Sequence, residues 1–177
     1  MTPHHHAAKE AHAAVAPLDA RHAHHELQDT PCIDKGIFVL TGNNEYALEC
    51  IKRGDRVVAF APNTPETLVA FLATVSIGAV WSVCSPDMGL NAVLDRFRQI
   101  EPKALFAVPS CNYGGKHHDK GEMVVALINA LPSLTDLILL PGAATQPLPN
   151  RIHQARWPEI IARPAEMMVE PVPFDHP

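Results

Sequence analysis

Between Gly54 and Lys103 the chain alternates, twice over, a short apolar run and a stretch of helical periodicity, with a structure-breaking residue at each junction. Val57-Val58-Ala59-Phe60 runs into Pro62 and Asn63. A run this apolar, without alternation, suits a strand covered on both faces. Thr64 offers a hydroxyl as N-cap, and Pro65 suits the first helical position, where no amide donor is needed. Leu68, Phe71, Leu72 and Val75 recur at i, i+3, i+4, i+7 and so share one helical face. Gly78 can take the left-handed conformation that ends a helix. Ala79 to Val83 is a second apolar run, and Leu90, Val93, Leu94 and Phe97 form a second helical face that Pro102 stops. This order predicts a parallel sheet with right-handed crossovers.

The pattern continues downstream. Ala104 to Val108 is a third run, ended by Pro109, and Leu137 to Leu140 a fourth, ended by Pro141-Gly142. Between them Val124, Leu127, Ile128 and Leu131 repeat the helical face, and the polar stretch from Ser110 to Glu122 reads as a loop at a strand's carboxyl end. The expected class is α/β, an open, doubly wound parallel sheet over residues 51–141. From 142 to 177 the chain is irregular and Pro-rich; only Trp157 to Ala162 suggests a helical turn or two, with Trp157 as an anchor onto the core. Upstream, Gly36 to Leu40 is a short apolar run, followed by a turn at Gly42-Asn43-Asn44 and the end of a helix at Tyr46 to Ile51.

Composition removes several function classes. A hydrophobic fraction of 47% supports a core, and a formal charge of −5 with scattered Lys and Arg gives no surface for nucleic acid. The four cysteines (Cys32, Cys50, Cys84, Cys111) lie far apart and read as reduced, buried thiols. No segment reaches the roughly 18 apolar residues that a membrane span requires. The N-terminus lacks a secretory pattern, and its acidic residues do not suit a transit peptide, so the expected location is cytoplasmic. Residues 1–35 carry seven of the eleven histidines. Clustered imidazoles are potential metal ligands, but a site needs fixed geometry and supporting hydrogen bonds. The expectation for residues 1–50 is a flexible His- and Ala-rich arm without a metal.

Five words of the sequence carry a likeness to a known family: GDRVVAFAPNTPE (Gly54–Glu66), SIGAVWSVCSPD (Ser76–Asp87), VLDRFRQIEPK (Val93–Lys103), YGGKHHD (Tyr113–Asp119) and PFDHP (Pro173–Pro177). The chain resembles the AMP-forming acyl-CoA synthetases of the adenylate-forming ligase superfamily. The run W-S-x-x-S-P-D followed by V-L-D-R-F points to the acetoacetate–CoA ligase branch. The likeness extends from about Cys50 to the C-terminus and leaves the first fifty residues unmatched. It implies part of the N-terminal subdomain of the adenylate-forming ligase fold and, for the full-length family, use of ATP with magnesium and of coenzyme A.

By the same resemblance, Ser85, Pro86 and Asp87, with Tyr113, Gly115 and Lys116, fall where related ligases meet coenzyme A. An ammonium group suits a phosphate as a point charge. Trp81 reads as a core residue, and His117-His118-Asp119 as a polar loop with no nucleophile beside it. In the family, P-F-D-H-P leads into a glycine- and hydroxyl-rich loop that wraps the ATP phosphates. These 177 residues contain neither that loop nor G-x-x-x-x-G-K-[ST] nor G-x-G-x-x-G. The expectation is an N-terminal portion of such a ligase with no catalytic or metal-binding residues of its own, inactive alone. A stand-alone α/β binding or interaction module and a non-functional truncated product remain as alternatives, and self-association through an exposed sheet or apolar face is expected.

Overall fold

The computed structural model describes residues 51–162 and 169–177. The histidine-rich arm, the Gly36–Leu40 run and the turn after it lie outside the described residues. Among the described residues seven strands and four helices follow one another: β1 (Arg56–Phe60), α1 (Pro65–Ser76), β2 (Val80–Cys84), α2 (Leu90–Phe97), β3 (Ala104–Ala107), β4 (Ser110–Tyr113), β5 (Lys116–Asp119), α3 (Gly121–Ala130), β6 (Asp136–Leu139), β7 (His153–Arg156) and α4 (Trp157–Ile161).

Five strands form one sheet in the order β2-β1-β3-β6-β7, every neighbouring pair parallel. The inner three strands, β1, β3 and β6, are almost wholly buried, as their unbroken apolar composition requires. Alternate residues feed two cores. Val57, Ala59, Phe106 and Ile138 meet α1 and α4 on one face, while Val58, Phe60, Leu105 and Leu137 meet α2 and α3 on the other. This is the doubly wound α/β layer expected from the sequence, with the order that places a topological switch between β1 and β3.

The local signals act as expected at most junctions. The Thr64 hydroxyl accepts from the Thr67 amide at 3.5 Å, Pro65 opens α1, and Gly78 ends the turn with φ +69°. Val93, Leu94 and Phe97 of α2, and Val124, Leu127 and Ile128 of α3, are buried.

Helix α1 departs from the simple amphipathic rule. Its buried residues are Thr67, Ala70, Thr74 and Ser76, whereas Leu68, Phe71, Leu72 and Val75 are exposed. Small side chains bring the helix backbone close to the sheet, and the hydroxyls are satisfied locally. Thr74 Oγ1 donates to the Ala70 carbonyl, and Thr67 Oγ1 to that of Pro62, each at 2.8 Å.

Two further elements differ from the sequence reading. The stretch read as a loop after β3 is the antiparallel hairpin β4–β5, turned by Gly114 and Gly115 at φ +58° and +73°. Two glycines at positive φ form the tight turn whose twist matches paired strands. Beyond residue 141 the sheet gains β7, and α4 seats Trp157 and Ile160 in the core. The C-terminal residues lie against the end of α1: the Glu170 amide donates to the Ser76 carbonyl at 2.6 Å, and the His176 ring meets the Gly78 carbonyl at 2.7 Å. Among the described residues no helix is long and apolar enough to cross a membrane.

Candidate functional site

Parallel strands all deliver their carboxyl ends to one edge of the sheet, and a crevice opens where the winding direction reverses. Here that edge is tied together by the backbone. The Ala61 amide donates to the Cys84 carbonyl and the Val108 amide to that of Phe60, each at 3.1 Å. The exits of β1, β2 and β3 are therefore held side by side. After β2 the chain turns at Ser85-Pro86-Asp87, closed by the Met88 amide on the Ser85 carbonyl at 3.1 Å. After β3 the hairpin rises, and its base is fixed by the Lys120 amide on the Pro109 carbonyl at 2.8 Å.

Between that turn and that hairpin lies a cleft of about 350 Å³. Pro62, Ser85, Pro86 and Asp87 form one wall; Cys111, Asn112, Tyr113, His118 and Lys120 form the other. The Asp87 carboxyl is held below its ordinary value, chiefly by a hydrogen bond from the Ser85 side chain and then by its own backbone amide. The positive charge of Lys120 acts in the same direction more weakly. At neutral pH the cleft thus presents an ammonium group, an ionised carboxylate and an exposed phenol ring.

Of the residues singled out from the sequence, Ser85, Pro86, Asp87 and Tyr113 line this cleft, and Gly115 and Lys116 do not. Gly115 shapes the hairpin turn. Lys116 pairs with Tyr113 at the end of β5 and by register shares the hairpin face that carries Cys111, Tyr113 and His118, one step beyond the wall. The cation in the wall is Lys120, which the sequence reading passed over, as it did Cys111, Asn112 and Pro62. The Gly-Gly pair between two polar tetrads was the available signal, because a hairpin with a two-residue turn dictates which residues share a face.

His117, His118 and Asp119 do not form a catalytic relay. His117 Nδ1 is 3.2 Å from Asn112 Oδ1, and Asp119 accepts from the Gly121 amide and from the Thr145 hydroxyl. Among the described residues no three His, Cys, Asp or Glu side chains converge to hold a metal. Trp81 packs between Phe71 and Phe106 as a partly buried residue at the edge of the core, with ring centroids 6.1 and 5.9 Å apart and the rings tilted.

Residues 47–171 match the family model described as AMP-binding enzyme. The chain belongs to that family. Within the AMP-binding enzymes it is similar to the acetoacetyl-CoA synthetase of Mus musculus, 37% identical over 138 residues, and to the acetoacetyl-coenzyme A synthetase of Rhizobium meliloti (strain 1021), 39% identical over 129 residues. Each match covers 72% of this chain and 20% of the relative. The solved acetoacetyl-CoA synthetase from Streptomyces lividans superposes with a TM-score of 0.67 at 44% identity, over 74% of this chain and 20% of that one. The chain therefore spans about a fifth of the length of the relatives it matches. Its parallel sheet is that of the N-terminal subdomain of the adenylate-forming ligase fold, and both walls of the cleft fall inside the stretch that matches the AMP-binding enzymes.

Proposed function

We propose that this chain is part of an AMP-forming acetoacetate–CoA ligase, that its cleft is a coenzyme A half-site, and that the 177-residue polypeptide alone makes no thioester. The observation that carries the reading is the meeting of Ser85–Asp87 with Tyr113 and Lys120 across the switch-point crevice. The group fits a nucleotide tail. The Lys120 ammonium suits a phosphate, the Tyr113 ring is 73% exposed and offers a face to a base, and the ionised Asp87 accepts from amine or hydroxyl donors.

Acetoacetate–CoA ligation has two steps. The carboxylate displaces pyrophosphate from ATP to give an acyl-adenylate, and the thiol of coenzyme A then displaces AMP. Both steps need charge stabilisation at phosphate. The residues present do not fit magnesium–ATP: these 177 residues contain no glycine-rich phosphate loop, and among those described no carboxylate cluster forms. This chain's own contribution is to bind and orient the nucleotide end of coenzyme A. A cytoplasmic location accords with the family reading.

Isothermal titration with coenzyme A and, separately, with ATP tests the proposal. Coenzyme A should bind, Lys120→Ala should weaken it about fivefold, the effect of one exposed charge-assisted contact, and ATP should give no saturable heat. Coenzyme A binding that ignores Lys120→Ala, or no binding at millimolar ligand, sinks the half-site and leaves the stand-alone module or remnant readings.

A further inference from the structure

We infer that Asp119 and Thr145 are positioning residues of the cleft: together they fix the joint between β5 and α3 from which Lys120 enters the cleft wall. The inference rests on the coenzyme A reading, and its test separates the two.

Three observations carry it. First, Lys120 stands alone between two elements. Strand β5 ends at Asp119 and α3 begins at Gly121, so the backbone angle at this single residue decides where the ammonium group points. Asp119 is not in the cleft wall, yet it holds the joint. One carboxylate oxygen accepts from the Gly121 amide at 2.7 Å, and the other accepts from the Thr145 hydroxyl. One side chain thus ties the end of the strand to the first residue of the helix and to the loop between β6 and β7.

Second, that loop grips the base of the hairpin on both strands. Ser110 and Asp119 face each other there as the last pair of the β4–β5 register. The Ala143 amide donates to the Ser110 hydroxyl at 3.1 Å, and the Thr145 hydroxyl to Asp119. A two-stranded hairpin is marginal by itself, so the angle at which this wall stands depends on such ties.

Third, the loop approaches at close range, and glycine at two positions allows it. A Cβ on Gly121 would lie 2.8 Å from Gln146 Cγ and 3.1 Å from Asp119 Oδ1. A Cβ on Gly142 would lie 3.0 Å from Pro109 Cγ and 3.1 Å from Ser110 Oγ. The loop is therefore packed against the joint, not held across solvent. The Thr145 hydroxyl and then the Gly121 amide favour the ionised form of Asp119, so both ties are charge-assisted at neutral pH.

Isothermal titration of coenzyme A into the full 177-residue chain and its variants provides the test. Thr145→Val removes the donor and should weaken binding about twofold to threefold, part of the roughly fivefold loss expected for Lys120→Ala. In the Lys120→Ala background the same change should have no further effect, because Thr145 acts only through that ammonium group. Thr145→Ser keeps the hydroxyl and should bind like the unaltered chain. Asp119→Ala separates position from charge. Removing a negative charge beside Lys120 by itself favours a phosphate, whereas loss of the joint weakens binding, and weaker binding is expected. Both side chains are exposed, so far-ultraviolet circular dichroism should stay unchanged; if Asp119→Ala loses it, the Thr145 variants decide. Four outcomes overturn this inference and leave the half-site standing: Thr145→Val without effect, an equal loss in the Lys120→Ala background, Thr145→Ser as weak as the valine variant, and a folded Asp119→Ala that binds as tightly as the unaltered chain or more so. An unaltered chain that does not bind coenzyme A removes the half-site and this inference with it.

Discussion

Gly78 is required twice over. Its φ of +69° lies in the left-handed region, and a Cβ there would sit 2.9 Å from Val172 Cγ1 and 3.1 Å from Arg53 Cγ. Gly78→Ala should cost about 1–2 kcal/mol, while Gly89→Ala, at φ −72° in open space, should cost less than about 0.5 kcal/mol. Urea midpoints at constant slope measure both. Arg151 closes the other end of the molecule. Its guanidinium donates to the carbonyls of Leu134 at 3.1 Å, Leu131 at 2.9 Å and Ile128, joining the end of α3 to the loop before β7. Arg151→Ala should destabilise by about 1–3 kcal/mol, and Lys should restore little, since an ammonium lacks the planar fork. Asp119 titrates below its ordinary 3.8, chiefly because the Thr145 hydroxyl and then the Gly121 amide favour the carboxylate. A folded value below the unfolded one means that the stabilisation is complete above about pH 5 and fades as pH falls through the folded value, below 3.8. Thr145→Val should move the Asp119 midpoint upward in an NMR titration; an unmoved midpoint would remove Thr145 as the cause.

Helix α1 shows why a periodic apolar face is not automatically an inward one. Ala70 is wholly buried against the sheet, and Leu72, two residues later, is nearly half exposed. In dilute monomer, Leu72→Ala should therefore cost less than about 1 kcal/mol, whereas Ala70→Leu should overpack the helix–sheet layer by about 1–3 kcal/mol. The opposite ranking in chemical denaturation would mean that the helix sits the other way round. The hairpin makes a related point. Its strands, SCNY and KHHD, have no apolar alternation, so hydrophobic period could not reveal them. Its existence rests on two glycines and on the anchoring of Lys120 to Pro109.

For the molecule as a whole, the winding order makes a crevice between β1 and β3, and these 177 residues contain no glycine-rich phosphate-loop pattern. ATP–pyrophosphate exchange with acetoacetate by the purified polypeptide should not exceed a heat-killed control. Turnover above it would refute the incomplete-site reading. Coenzyme A binding without exchange is the combination that the proposed half-site predicts.

The order of the buried strands and the helices between them, the Thr64–Pro65 start of α1 and the Gly78 stop are written in local residue choices, whereas the likeness to acyl-CoA ligases rests on five longer words matched to a family. Steric and hydrogen-bonding rules acting over a few residues are enough to read them. Polar β7 escaped, since a four-residue strand, HQAR, with one buried side chain has no periodicity to detect. Which face of α1 meets the sheet, which lysine enters the cleft wall, and how the Ser85–Asp87 turn meets Tyr113 were settled only by packing. Periodicity shows that a helix has two different faces; the distance between helix and sheet, here close enough to favour Ala and Thr, decides which one is buried.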